Sequence, residues 1–187
     1  MLETYDAASL TSRQADGIRF VRQPDADTQL TFTWTRAANF YSSATAKQED
    51  RRKGTRGEII STTRYFLPGI ATPAADIPAS GTLRFASLVV GMTVGKAAAL
   101  TGNLDVTLDL SGKRLSGSLT AGGRTVVLAG TVDRAQATVI TGTATVDGIS
   151  GRLVGNLFGA QGRELGLLFE VSDPAGSSAG QVIGLKQ

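Results

Sequence analysis

SGTLRFASLVVG (80–91), GNLDVTLDL (102–110), KRLSGSLTA (113–121), RTVVLAGTV (124–132), QATVITGTATV (136–146), GRLVGNLFGA (151–160), RELGLLFEVS (163–172) and AGQVIGLK (179–186) follow one another to the end of the chain. Each is short, rich in Val, Leu, Ile and Thr, and bounded by Gly, Ser, Asp or Lys, which is the pattern of β-strands joined by tight turns. Leu104, Val106 and Leu108 alternate with Asp105, Thr107 and Asp109. Leu115, Gly117 and Leu119 repeat the pattern, as do Leu153, Gly155 and Leu157, and Leu165, Leu167 and Phe169. Alternation with one apolar face requires a single packed interior. The links LSGKR, TAGGR, VDGISG and AQGRE are hairpin-sized, so neighbours in sequence pair in space. The expected fold is all-β: an eight-stranded antiparallel up-and-down barrel over residues 80–187, wide enough for packed side chains or one small ligand.

Outward from the barrel, the composition shifts at about residue 80. Nine of the 11 aromatic residues fall by Phe85, whereas 19 of the 23 glycines follow Ser80. Residues 1–79 therefore read as a separate, small N-terminal β subdomain with a charged loop. Within it TQLTFTWTR (28–36) places Leu30, Phe32 and Trp34 opposite Thr31, Thr33 and Thr35, a half-buried strand. GIRFVR (17–22) reads as one short strand in an irregular arm and EIISTTRYFL (58–67) as a returning strand. SATAKQEDRRKGTRG (43–57) is too polar and charged for a recognisable period and reads as a loop or frayed helix. PGIATPAADIPAS (68–80) holds three of the five prolines and reads as a stiff linker.

Composition removes several chemistries. The chain of 187 residues has no Cys and no His. That excludes thiolate and disulfide chemistry, His-based triads, and the commonest metal ligand. No phosphate-binding loop, Gly-x-Ser-x-Gly or Ser-x-x-Lys motif is present. Asp105 and Asp109 are too far apart on one strand face to share a proton, and Asp25-x-Asp27 lacks the rest of a calcium loop. An enzyme is not expected. A net charge of +3, without basic residues interleaved by stacking aromatics, speaks against nucleic acid. No signal peptide or apolar run long enough to span a bilayer is seen, and MLETYDAAS is compatible with an expression start on a mature fragment.

What remains points to binding. Trp34, Phe40, Tyr41, Tyr65 and Phe66 either line a haem or other apolar-ligand cleft, with Tyr41 or Tyr65 as phenolate ligand, or form the core of the N-terminal sheet. Phe40 and Tyr41 lie beyond the strand and are the better ligand candidates. Met92 offers a thioether or simply fills a gap. Lys47, Arg51, Arg52, Lys53 and Arg56 form a solvated loop or an anion contact. Arg51, Arg52 and Arg56 outrank the lysines because a guanidinium grips a carboxylate with two hydrogen bonds. Phe40, Tyr41, Arg51, Arg52, Arg56 and Tyr65 are thus the candidate ligand- or partner-binding residues.

GIATPAADIPASGTLRF (69–85), NLFGAQGRELGLLFEV (156–171) and the closing AGQVIGLK (179–186) resemble the barrel domain of the transferrin-binding protein B-like family over residues 65–187. The Pro-rich lead-in, Phe158-Gly159, Glu164-Leu165-Gly166, Phe169 and the Gly184-Leu185-Lys186 tail carry the likeness. Leu167 departs from it, standing where the family pattern has a second glycine. The resemblance implies a surface-exposed or secreted protein of Gram-negative bacteria, lipid-anchored at the outer membrane in its precursor, that acts in iron acquisition. Members, hemophilin-like ones included, capture a solute, haem or a host iron-carrier protein. They work with a TonB-dependent receptor or a dedicated secretion partner, and a handle subdomain grips the ligand. The other reading is a protein-interaction or adhesion module with no small ligand, using the basic run and Tyr41.

Overall fold

The computed structural model describes residues 12–14, 17–25, 28–35, 45–67, 69–94, 102–121, 123–133, 139–173 and 176–187, with most side chains from residue 51 onward. Five strands come first: β1 (Ser12–Gln14), β2 (Gly17–Asp25), β3 (Thr28–Thr35), β4 (Thr45–Lys53) and β5 (Ile59–Phe66). They form an antiparallel meander in sequence order. Eight more follow: β6 (Thr82–Val94), β7 (Gly102–Asp109), β8 (Arg114–Ala121), β9 (Arg124–Asp133), β10 (Val139–Val146), β11 (Ile149–Phe158), β12 (Glu164–Asp173) and β13 (Gly176–Lys186). These close into a barrel in which every strand pairs its sequence neighbours and β13 returns to β6. The expected architecture is therefore present, with a small sheet ahead of a closed up-and-down barrel.

The barrel closes because its inward rows mix large side chains with glycine and alanine. One register row reads Leu83, Leu108, Leu115, Gly130, Gly142, Leu153, Phe169, Gly180. A second reads Phe85, Val106, Gly117, Leu128, Ala144, Gly151. The small residues in these rows leave room for the bulky ones to fill a narrow lumen. The result is one continuous buried cluster, with Val106, Leu119, Leu153, Leu157 and Leu165 fully enclosed. Every buried side-chain polar atom among the described residues has a hydrogen-bond partner.

Turn chemistry holds the register. Asp147 and Gly148 have positive φ (50° and 83°) between the paired Val146 and Ile149, the requirement of a two-residue hairpin that matches strand twist. Asp109 accepts hydrogen bonds at Oδ1 from the backbone N–H groups of Ser111 and Gly112, both at 3.0 Å. Its carboxylate thus shapes the β7–β8 turn.

The linker is tied to one end of the barrel. Ala71 bridges Phe158, and the Thr72 N–H donates to the Leu157 carbonyl at 2.9 Å. Ile77, after a short 3-10 turn at Ala74–Asp76, joins the barrel's core cluster and plugs that end. The Thr72 hydroxyl, fully buried, donates to the Gly159 carbonyl at 2.6 Å. Thr72→Val keeps the shape and removes that bond. The Gly159 carbonyl keeps the Gly162 N–H at 3.4 Å, so urea unfolding is expected to show a loss of about 0.5–1.5 kcal/mol, the usual net worth of one hydrogen bond. An unchanged midpoint would show that the tie contributes nothing.

One local expectation fails. The described part of the polar stretch 43–57 contains no helix, and most of it is strand β4. The charged loop shrinks to residues 54–58, between the paired Lys53 and Ile59. A strand needs alternating hydrophobicity only if one face is buried. Arg51 and Arg52 are both exposed although adjacent strand residues project to opposite faces. Solvent therefore reaches both faces here, and backbone pairing to β3 and β5 suffices. The arm before residue 28 also holds more strand than expected, with β1 preceding a nine-residue β2.

Candidate functional site

The outer face over β11, β12 and β13 does not follow the polar-outside rule. Leu168, Phe158, Ile183 and Leu185 point outward, yet Phe158 and Ile183 are buried and the other two are partly buried. The cover is the end of β5 and the linker. Leu67 packs with Ile183 and Leu185 in a second apolar cluster on the outside of the barrel. Gly166 makes the close approach possible. A Cβ there would stand 2.6 Å from a ring carbon of Phe158 and 3.2 Å from Leu67 Cδ1.

Beside this anchor the small sheet and the barrel leave an open cleft of about 500 Å³. Arg64, Tyr65 and Phe66 of β5 form one wall. Arg152, Val154, Leu168 and Glu170, from the outer face of β11 and β12, face them. Arg152 and Glu170 are cross-strand partners. Val154 pairs Leu168 one step along the same outer face. Tyr65 is half-buried, while Phe66 stays 41% exposed. The cleft therefore offers two guanidinium groups, one carboxylate beside Arg152, a phenol, an exposed phenyl ring and an apolar floor. That set suits a molecule with an apolar body and a carboxylate edge.

Of the residues singled out from sequence, Tyr65 lies in this cleft. Arg51 and Arg52 lie on β4, opposite Ser61 and Ile60 respectively. Arg56 is exposed in the β4–β5 turn, where its N–H donates to Glu58 Oε2 at 3.0 Å. Ile59, at that end of β5, is six residues from Tyr65, roughly 20 Å along a strand. The arginines and Tyr65 thus occupy opposite ends of one hairpin. Phe40 and Tyr41 lie outside the described residues. The flanking Thr35 and Thr45 pair with each other at the sheet end where Phe66 stands opposite Ala46. Met92 falls on β6, opposite Gly180.

Sequence reasoning missed Arg64, Arg152, Val154, Leu168 and Glu170. A signal was present. In VGNLF (154–158) and ELGLLFEV (164–171) apolar residues occupy both parities, which marks a strand covered on both faces. Among the described residues no group of three or more acidic side chains could hold a metal. No helix among them is long and apolar enough to cross a membrane.

No family model matches the chain, and no curated protein does. Solved structures do. A transferrin binding protein B mutant from Haemophilus parasuis Hp5 superposes with a TM-score of 0.66 at 16% identity, covering 94% of this chain and 38% of that one. Isotype 1 transferrin binding protein B from serogroup B Neisseria meningitidis gives 0.65 at 14% identity, covering 98% and 37%. A structure described as a surface lipoprotein gives 0.57 at 12%, covering 90% and 81%. The chain spans well under half the length of the first two. The small antiparallel sheet, the linker and the closed eight-stranded barrel together show that this chain has a transferrin-binding protein B-like fold.

Proposed function

We propose that this is a non-enzymatic capture protein of a bacterial cell surface, serving uptake of haem or iron. In this reading it grips its ligand where the small sheet meets the barrel and passes it to an outer-membrane receptor. The observation that carries the proposal is the cleft itself. It lies where the fold brings sheet and barrel together, and it presents Arg64 and Arg152 around an apolar floor with Tyr65 at its wall. The likeness to transferrin binding protein B and to a surface lipoprotein supports a cell-surface role and a host iron carrier as partner. The barrel interior is filled by side chains, which favours its outside as the place of capture.

Haem is the ligand the cleft residues suit best. It has an apolar plane, two carboxylates for the arginines, and an iron that a phenolate can ligate in a chain without histidine. Titration with haemin is expected to give a saturable shift of the Soret band with a phenolate-type spectrum. Tyr65→Phe should lose that spectrum while the chain stays folded by circular dichroism. Arg152→Glu should weaken binding by roughly 30-fold, as expected for reversing one charged contact. A titration without saturation rules out haem. If immobilised iron-loaded transferrin then binds, the carrier protein becomes the ligand; if it does not, capture of an iron source at this cleft is refuted.

A further inference from the structure

The strand that supplies one wall of the cleft has a second, distant feature. β5 is the last strand of its sheet, and only β4 pairs with it there. Natural edge strands are usually protected by proline, a bulge, brevity or charge. Here β5 is eight residues long, its register against β4 runs without a bulge from Ile59 to Phe66, and it contains no proline. Its one charge, Arg64, belongs to the cleft end. Residues 59–63 read Ile-Ile-Ser-Thr-Thr, a sequence of high β-propensity. Ile59 is 63% exposed, and Ser61 and Thr62 are exposed too. Among the described residues no backbone group outside β4 is hydrogen-bonded to residues 59–63.

The charge behind this edge changes sign along it. On β4, Lys53, Arg52 and Arg51 stand opposite Ile59, Ile60 and Ser61, whereas Asp50 and Glu49 stand opposite Thr62 and Thr63. A partner of one charge meets attraction at one end of the edge and repulsion at the other. A second β5 running antiparallel presents the same pattern reversed. Hydrogen bonding limits how two such edges can align. The outward backbone groups of an edge strand come from every second residue, and in an antiparallel pair those residues face one another directly. A residue must therefore meet its own counterpart at the twofold axis. With Ile60 at the axis, the β4 rows behind it set Arg52 against Arg52 and Lys53 against Arg51. With Thr62 there, Asp50 meets Asp50 and Lys53 meets Lys47, and pairing runs into Arg64 and Tyr65 of the cleft. With Ser61 there, all of residues 59–63 pair and stop short of the cleft. Lys53 of each copy then shares a row with Glu49 of the other, and Arg52 shares one with Asp50. Arg51 alone meets its like.

We infer that residues 59–63 of β5 are a self-association edge, through which two copies of this chain pair antiparallel about a twofold axis at Ser61. The two five-stranded sheets become one. Main-chain hydrogen bonds supply the pairing, and the patch meets itself as a closed twofold contact requires. The charges choose the register. Paired rows of β4 lie three strand spacings apart, about 14 Å, which is well inside the screening length of roughly 30 Å at 0.01 M salt. Two edges of this length bury little surface, so the dimer is weak and reversible. The cleft lies beyond the paired segment, and neither reading depends on the other.

Sedimentation equilibrium of the full chain at low salt, up to about 1 mM, tests this. A reversible dimer is expected, with amide exchange slowing at alternate residues of 59–63 as concentration rises. Arg52→Glu with Lys53→Glu makes the run behind the edge acidic, and Glu49→Lys with Asp50→Arg makes it basic. These positions face Thr28, Thr31 and Leu30 on β3 and uncharged residues on β5, so no ion pair across the sheet is broken. Each double variant alone should self-associate at least about tenfold more weakly. Their equimolar mixture should regain the dimer and the same alternate protection, because the rows of opposite sign return. Arg51→Ser should tighten the dimer by removing the like-charged row. A parent chain that stays monomeric throughout would overturn the proposal. So would a dimer without slowed exchange at residues 59–63, or double variants that dimerise as the parent does. A mixture that associates without that protection would reduce the effect to plain charge attraction and overturn it too. If a variant fails to fold, the exchange pattern of the parent chain decides.

Discussion

Phe85→Ala is expected to lower unfolding stability by about 3–5 kcal/mol, the range for removing an aromatic ring from a tightly packed core. Phe85 is 1% exposed, among the largest fully buried side chains, and sits where β6 meets both β7 and β13. Its ring closes the seam that turns an open sheet into a barrel. Packing around it leaves little room to collapse into the cavity. A Cβ on Gly184 would already stand 3.1 Å from Phe85 Cβ and 2.9 Å from Leu104 Cδ2. Domains of ordinary stability hold only about 5–15 kcal/mol in total. The variant should therefore melt some 6–20 °C lower, at about 2–4 °C per kcal/mol for a chain of this size. A loss below about 1 kcal/mol would mean that the β13–β6 seam repacks freely and that the ring does not close the barrel.

The barrel was readable because its physics is local. Each inward position is a short-range alternation, and among the described turns short sequences place Lys113, Asp147 and Gly148 where φ turns positive. The large-small complementarity of Leu115 with Gly130, or Leu153 with Gly142, is not local and becomes visible only with the register. The segment 45–53 misled for a related reason. Hydrophobic period reports burial, and a strand wet on both faces has none to report. Its strand character comes from neighbours β3 and β5, which no window on residues 45–53 contains.

The cleft was legible only in part. Tyr65 stood out as one of an aromatic set that either lines a ligand cleft or forms the core of the small sheet, and it does reach the sheet–barrel cleft. Arg152 and Glu170 looked like ordinary outward polar residues of a barrel strand, which they are locally. They matter because β5 comes to rest on that side of the barrel, a long-range event set by Leu67, Phe158 and Ile183. The doubled apolar parity of β12 announced a covered outer face without saying what covers it. The basic run has the opposite character. Its charges were plain in the sequence, but the strand geometry that spreads them over two faces was not.

The second large effect is expected at Gly166, inside the Glu164-Leu165-Gly166 motif. Gly166→Val adds a branched side chain on the outer face of β12, where Phe158 and Leu67 already leave no space. Overpacking of this kind costs about 1–3 kcal/mol, occasionally more. The barrel interior has a way to survive, because Gly166 pairs Asn156 and Ile183 on the outer face and touches none of the inward rows. Strain is relieved more cheaply by lifting Leu67 and the linker than by opening the barrel. The variant should therefore keep a folded barrel while residues 67–72 become readily cleaved by protease. Haemin binding should fall with the detachment, since one wall of the cleft is attached through Leu67 to the other. Cleavage and binding unchanged from the parent chain would show that the sheet is held to the barrel by something other than this contact. A variant that unfolds as a whole would show that the barrel itself depends on the contact of Leu67 with Phe158 and Ile183. Separating the two requires only a near-ultraviolet circular dichroism spectrum and a timed digest of the same sample.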